Sequence, residues 1–133
     1  MNKIEHIGIA VKNLEQANEI FGKLFGTRPY KAETVESEGV STSFFLNGPN
    51  KIELLEATNP ESPIAKFIEK RGEGIHHIAF DVDDIVAEME RLKGEGFIIL
   101  NETPKKGADN KLVAFLHPKG THGVLVELCQ EIR

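Results

Sequence analysis

The sequence predicts an α+β fold built from two copies of one unit, in which a strand is followed by a helix and then by three more strands. Three observations predict it. Short runs rich in β-branched residues alternate with segments of helical periodicity. The strand pattern EHIGIAV near the amino terminus returns as HHIAFDV, and KIELL returns as LVELC near the end. Since neither copy can cover its own sheet, the two sheets are expected to join.

The first copy begins with a buried strand over Ile4–Val11. A helix over Leu14–Phe25 follows, because Asn13 is a suitable N-cap and Gly26 a suitable stop. The sequence Asn-Gly-Pro-Asn further on is a strong turn signal between two strands. The three strands after the helix are predicted at Tyr30–Val35, Val40–Leu46 and Lys51–Glu56.

One short helix links the two copies. Ser62 can cap it, Pro63 occupies its first position, and it is predicted to run to about Lys70. The repeated modules then cover about residues 1–60 and 72–133. A length of 133 residues fits one globular domain, so a single domain over residues 1–133 is expected.

The second copy opens with a strand over His76–Val82. Asp83 is predicted to cap a helix over Ile85–Lys93, which Gly94 and Gly96 would end. The remaining strands are predicted at Phe97–Leu100, Leu112–His117 and Val124–Cys129. The polar, glycine-containing stretch Asn101–Lys111 is expected to be a flexible loop.

The composition excludes several classes of protein. A formal net charge of −5 argues against general binding to nucleic acid or to an anionic membrane surface. No stretch approaches the ~20 apolar residues of a membrane helix, and no signal peptide precedes the first strand, so a cytoplasmic location is expected. Cys129 is the only cysteine, which excludes an internal disulfide, and its thiol is expected to act as a small apolar group.

Four polar side chains occupy repeat-equivalent positions in otherwise apolar strands. His6 corresponds to His77, and Glu53 corresponds to Glu127. Because strand side chains alternate between faces, all four should point away from the helix layer. A buried, unpaired carboxylate is costly, and a divalent cation would satisfy all four groups. Two His and two Glu suit Co²⁺, Ni²⁺, Mn²⁺, Fe²⁺ or Zn²⁺ better than Ca²⁺. The alternative is two unrelated histidine–carboxylate hydrogen bonds.

Longer stretches of the chain resemble a known family. The paired HxGI and HxAF strands, each followed by a strand carrying Glu, look like the vicinal oxygen chelate superfamily, which includes glyoxalase I. The stretches EHIGIAVKNLEQA, KIELLEA, SPIAKFIEKRGEGIHHIAFDVDDI, VAFLHPK and GVLVEL resemble, more specifically, the methylmalonyl-CoA epimerase family. The resemblance implies two βαβββ modules forming a cupped eight-stranded mixed sheet around a metal site. It also implies a homodimer that acts on an acyl-CoA.

The resemblance further implies one divalent metal ion per chain, with Co²⁺ favoured over Ni²⁺, Mn²⁺, Zn²⁺ or Fe²⁺. The implied ligands are His6, Glu53, His77 and Glu127. The implied reaction interconverts (R)- and (S)-methylmalonyl-CoA by abstraction of the C2 proton through a metal-stabilised enediolate.

The implied reaction needs one group that takes the C2 proton and a source for the proton that C2 receives in return. Glu127 is the candidate catalytic base. Thr42 stands where some relatives have a second Glu, and a hydroxyl cannot serve as that base. The proton is then returned by water, by another group or with the help of Glu53. The candidate substrate-binding residues are Thr42, Phe44, Phe115 and Lys119. The two Phe side chains could instead fill the core, and Lys119 could be a solvated turn residue.

Two other functions fit the same residues. A lactoylglutathione lyase of the glyoxalase I type, which isomerises a hemithioacetal of glutathione, also uses a metal-stabilised enediolate. A non-catalytic resistance protein could bind a small molecule on the same scaffold, although such binders often lack the four ligands. The stretches SPIAKFIEKRGEGIHHIAF and FLHPK favour the epimerase.

Overall fold

Residues 1–133 are described by a computed structural model with three α-helices and eight β-strands. The helices are α1 (Leu14–Phe25), α2 (Pro63–Arg71) and α3 (Ile85–Gly94). The strands are β1 (Lys3–Ala10), β2 (Lys31–Val35), β3 (Val40–Asn47), β4 (Asn50–Ala57), β5 (Gly74–Asp81), β6 (Lys105–Gly107), β7 (Lys111–Leu116) and β8 (Val126–Glu131). None of the helices combines the length and the apolar character that crossing a membrane requires.

The chain divides into two compact units, one of residues 6–76 and one of residues 1–5 with 77–133. In the first unit the strand order is β2-β3-β4-β1, with β1 parallel to β4 and the other pairs antiparallel. In the second unit the order is β5-β8-β7-β6, with β5 parallel to β8. The strands belong to an eight-stranded mixed sheet. The predicted α+β class with two βαβββ modules is therefore confirmed.

Helix α1 forms over the predicted residues and covers one face of the first unit. The Asn13 side chain accepts a hydrogen bond from the Gln16 backbone N–H at 2.9 Å. Gly26 ends the helix in the left-handed region, with φ of 69°. The apolar side of α1 packs on a buried cluster that includes Phe45 and Leu54. Ile9 of β1 packs against the same cluster.

Helix α2 covers part of the opposite face of the same unit. Ser62 Oγ accepts from the Ile64 backbone N–H at 3.1 Å, which caps the helix as predicted. Ile64 packs on a cluster with Ala10, Val40 and Leu55. The linking helix therefore contributes to the core of the first unit.

The cap of α3 corrects one prediction. Asp84, not Asp83, is the N-cap, and its side chain accepts from the Ala87 backbone N–H at 3.1 Å. The helix begins at Ile85, so only the residue directly before it is placed to reach that N–H. Asp83 instead accepts a hydrogen bond from the Asn2 side chain at 3.0 Å.

The segment that follows α3 corrects a second prediction. Phe97–Leu100 is not a strand; Ile99 makes only an isolated bridge with Leu116. Phe97 and Ile99 pack against the buried cluster under α3, whereas Ile98 and Leu100 are exposed. The strand β6 lies instead within the stretch predicted to be a loop, where Lys105 pairs with Val113 of β7. Backbone pairing with β7 places these polar residues in the sheet.

Candidate metal centre

The strand register of the first unit places three predicted site residues on one face. Phe44 of β3 lies directly opposite Glu53 of β4, and Gly8 of β1 lies beside Glu53. Paired residues point to the same side of a sheet, and residues two apart in a strand share a face. His6 therefore lies on the same face as Glu53 and Phe44.

His6 and Glu53 form a buried pair on this face. The distance from His6 Nε2 to Glu53 Oε1 is 3.3 Å, and both side chains are almost fully buried. The ring of Phe44 meets the imidazole edge-on, with centroids 6.4 Å apart and an interplanar angle of 87°. Phe44 thus limits how the imidazole can turn.

The second unit repeats this arrangement. His77 Nε2 lies 3.3 Å from Glu127 Oε1, again between buried side chains. Phe115 lies opposite Glu127 in the register and meets the His77 imidazole at 6.2 Å and 84°. The repeat seen in the sequence is therefore reproduced in the geometry of the ligand candidates.

The spacing within each pair fits a metal ion. Two ligand atoms that lie roughly 2.1 Å from an ion, at about 90–109° to one another, are about 3.0–3.4 Å apart. The observed 3.3 Å falls in this interval for both pairs. Imidazole nitrogen with carboxylate oxygen is a donor set of intermediate hardness, suited to Co²⁺, Zn²⁺ and similar ions. The spacing also suits a direct hydrogen bond, so the ligand roles stay a prediction.

The remaining predicted residues differ in their surroundings. Thr42 is 1% exposed, and its Oγ1 atom has no hydrogen-bond partner among the residues of the chain. Lys119 lies exposed in the 3₁₀ turn Pro118–Thr121, where its backbone N–H donates to His117 Nδ1 at 3.1 Å. The substrate-binding role of these four residues, Thr42, Phe44, Phe115 and Lys119, stays a prediction.

Two contacts near the second pair were not predicted from the sequence. The Cys129 thiol donates to Glu127 Oε2, with sulfur and oxygen 2.8 Å apart. Lys105 Nζ lies 5.8 Å from the centroid of the Phe115 ring, a cation–π contact. Cys129 could have been found, because it lies two residues after Glu127 on one strand face. Lys105 carried no such signal, since it lay in the predicted loop.

Residues 5–115 match the family described as the Glyoxalase/Bleomycin resistance protein/Dioxygenase superfamily. This match spans most of the chain, which therefore belongs to that superfamily.

Comparison with similar proteins identifies the chain's family within this superfamily. The chain is 41% identical to the ethylmalonyl-CoA/methylmalonyl-CoA epimerase of Cereibacter sphaeroides, over 98% of each chain. A variant of Streptomyces coelicolor methylmalonyl-CoA epimerase, solved with 2-nitronate-propionyl-CoA, is 34% identical with a TM-score of 0.96, over 100% of this chain and 99% of that one. A structure of a hypothetical protein from Bacillus halodurans is 43% identical with a TM-score of 0.96, over 99% and 96%. Within the superfamily, the chain belongs to the methylmalonyl-CoA epimerase family, and it is an isomerase of the racemase and epimerase class.

Proposed function

We propose that this chain interconverts (R)- and (S)-methylmalonyl-CoA. The named relatives match over nearly the full length of both chains, which supports a shared reaction. The observation that carries the proposal is the pair of buried histidine–glutamate contacts, each at 3.3 Å, on equivalent strands of the two units. Removing a proton next to a thioester builds negative charge, which a divalent ion held by these side chains would stabilise.

The metal ligands are part of the proposal. His6, Glu53, His77 and Glu127 would together hold one divalent ion per chain, with Co²⁺ favoured, in a single domain over residues 1–133. One pair alone offers an ion only two protein ligands, whereas both pairs offer four. When bound, the ion would supply Lewis-acid stabilisation of the negative charge that builds on the substrate oxygens.

Metal analysis of the purified protein tests this ligand set. We expect one ion per chain in the wild type and a large loss of metal in His77→Ala. His122→Asn is the matched control, because His122 is exposed and has a φ of 55°, which Asn tolerates. Full metal content in His77→Ala would exclude His77 as a ligand. Two ions per chain would mean that each pair binds its own ion.

Glu127 is the proposed base for the C2 proton. Its carboxylate is buried and has two oxygens with different neighbours, His77 on one side and Cys129 on the other. Thr42 has no carboxylate, so the proton on the other face of C2 comes from water, from another group or with the help of Glu53. Glu53→Gln tests whether Glu53 is that source. Retained activity would assign the return proton to water or another group, and loss of activity with metal retained would assign it to Glu53.

Incubation of single-epimer methylmalonyl-CoA with the metal-loaded protein in D₂O tests the reaction itself. We expect deuterium at C2 and conversion to the other epimer, both strongly reduced in Glu127→Gln. If no deuterium enters at C2 with metal present, the epimerase proposal is wrong. Turnover of a glutathione hemithioacetal by the same preparation would then indicate the glyoxalase I-type lyase.

The assembly and the location stay predictions. The homodimer implied by the family resemblance is tested by light scattering, where a mass near that of one chain would exclude it. A cytoplasmic location is tested by fractionation of the source cells.

A further inference from the structure

The side chain of Cys129 makes a specific contact with the proposed base. Cys129 has 0% of its surface exposed and lies two residues after Glu127 on β8. Its thiol donates to Glu127 Oε2, while Glu127 Oε1 faces His77 Nε2. Each oxygen of this carboxylate therefore has its own neighbour. A cysteine that only filled space would leave Oε2 without this donor.

The repeat supplies an internal comparison. The position equivalent to Cys129 in the first unit is Leu55, two residues after Glu53. Leu55 lies opposite Thr42, and Cys129 lies opposite Val113, so the two positions occupy matching places in the sheets. Leucine has no polar hydrogen to donate. A donor for the second carboxylate oxygen thus accompanies Glu127 and has no counterpart at position 55.

A second partner matters for a carboxylate that must do more than bind an ion. The terminal torsion of a glutamate side chain is broad, so the carboxylate turns easily unless its oxygens are held. If a carboxylate serves only as a ligand, the bound metal ion is enough to fix its orientation. A carboxylate that also takes up and releases a proton alternates between carboxylate and carboxylic acid. It therefore needs a second partner that holds it in both states. A thiol can donate to the carboxylate and can accept from the carboxylic acid.

We propose that Cys129 is a positioning residue for Glu127, holding its carboxylate in the orientation that proton transfer at C2 requires. This inference rests on the proposed function. Glu127 takes the proton from C2 and later releases it to solvent, and C2 receives a proton on its other face from water, from another group or with the help of Glu53. The thiol is therefore neither oxidised nor deprotonated overall. Cys129 only keeps one hydrogen bond to Glu127, both when Glu127 is a carboxylate and when it is a carboxylic acid.

Kinetics of three variants test the role. In Cys129→Ala we expect kcat to fall on the order of tenfold, since one hydrogen bond to a charged group is lost. KM should change less than about twofold and the metal content should stay at the wild-type value, because no ligand is removed. Cys129→Ser keeps a donor and should recover most of kcat. Val113→Ala opens space in the same buried cluster without removing a hydrogen bond, so it should lose stability and keep kcat.

Infrared spectroscopy tests the contact without any activity. The chain has one cysteine, so the S–H stretching band reports on this thiol alone. We expect the band to shift to higher wavenumber in Glu127→Gln, where the acceptor loses its charge, and to stay in place in Glu53→Gln. An unshifted band in Glu127→Gln would overturn the inference.

Three kinetic outcomes would also overturn it: wild-type kcat in Cys129→Ala, the same loss of kcat in Val113→Ala, or a further loss when Cys129→Ala is added to Glu127→Gln. Failure of the proposed function looks different. In that case the wild type does not exchange the C2 proton, while the band still shifts in Glu127→Gln.

Discussion

Replacing Thr42 with valine should stabilise the folded protein. The Thr42 hydroxyl is buried without a hydrogen-bond partner, and such a group costs about 1–3 kcal/mol relative to a satisfied one. Valine has the same branched shape, and its extra methyl would add up to roughly 0.8 kcal/mol of apolar burial. We therefore expect the free energy of unfolding of the metal-free protein to rise by about 1–3 kcal/mol. For a chain of 133 residues this is roughly 3–5 °C in Tm for each kcal/mol.

Equilibrium unfolding in urea, followed by circular dichroism, measures this change. The midpoint should rise at an unchanged slope, because the surface exposed on unfolding hardly changes. Val113→Thr is the matched control, since Val113 occupies the equivalent place in the second unit and is also buried. It should lose about 1–3 kcal/mol for the same reason. A lower midpoint for Thr42→Val would mean that the hydroxyl is satisfied in solution, and the reasoning would be refuted.

The same substitution also tests the predicted role of Thr42 in substrate binding. The buried Thr42 hydroxyl lowers the stability of the free protein. We therefore expect it to gain a hydrogen-bond partner when substrate binds. We therefore expect Thr42→Val to raise KM for methylmalonyl-CoA while it stabilises the free protein. Unchanged kinetic constants in the stabilised variant would remove Thr42 from the set of substrate-binding residues.

Three further predictions follow from the same structure. Asp84→Ala should lower the free energy of unfolding by about 1 kcal/mol, whereas Asp83→Ala should change it by less than half as much; urea midpoints compare them. Co²⁺ at about one hundred times its Kd should stabilise the wild type by about 2.7 kcal/mol in thermal unfolding, and His6→Ala should lose most of this gain. Arg91 donates to Glu88 and lowers the pKa of that carboxyl below its ordinary value of 4.5. The pair therefore stabilises the fold above that value, and the difference between wild type and Glu88→Gln should vanish as the pH falls through the lowered pKa.

The elements with local signals could be predicted closely. Helix α1 begins after Asn13 and ends before Gly26, and both residues make the contacts that the sequence indicated. The shared face of His6 on β1 and Glu53 on β4 could be predicted from alternation, because successive side chains of a strand point to opposite faces. The correspondence of His6 with His77 and of Glu53 with Glu127 followed from the internal repeat, which no single motif would have provided.

The features that were missed depend on backbone pairing and side-chain contacts that the pattern of apolar residues does not show. Polar β6 pairs with β7 through its backbone, so its side chains give no hydrophobic alternation to detect. The apolar stretch Phe97–Leu100 was wrongly predicted to be a strand, because Phe97 and Ile99 pack on the core under α3 without forming a ladder. The contact of Cys129 was missed for another reason: a lone buried cysteine usually has no polar role, and only the three-dimensional structure shows which oxygen its thiol reaches.

The two units carry the same histidine–glutamate geometry, but the side chains around it differ in a consistent way. Beside Glu53 lie Leu55 and the unpartnered hydroxyl of Thr42, and beside Glu127 lie Cys129 and Val113. The first unit therefore leaves a polar group without a partner in the protein, while the second adds a donor to its carboxylate. A site whose two halves only bound an ion would need neither difference. These differences support the proposal that Glu127, rather than Glu53, takes the C2 proton.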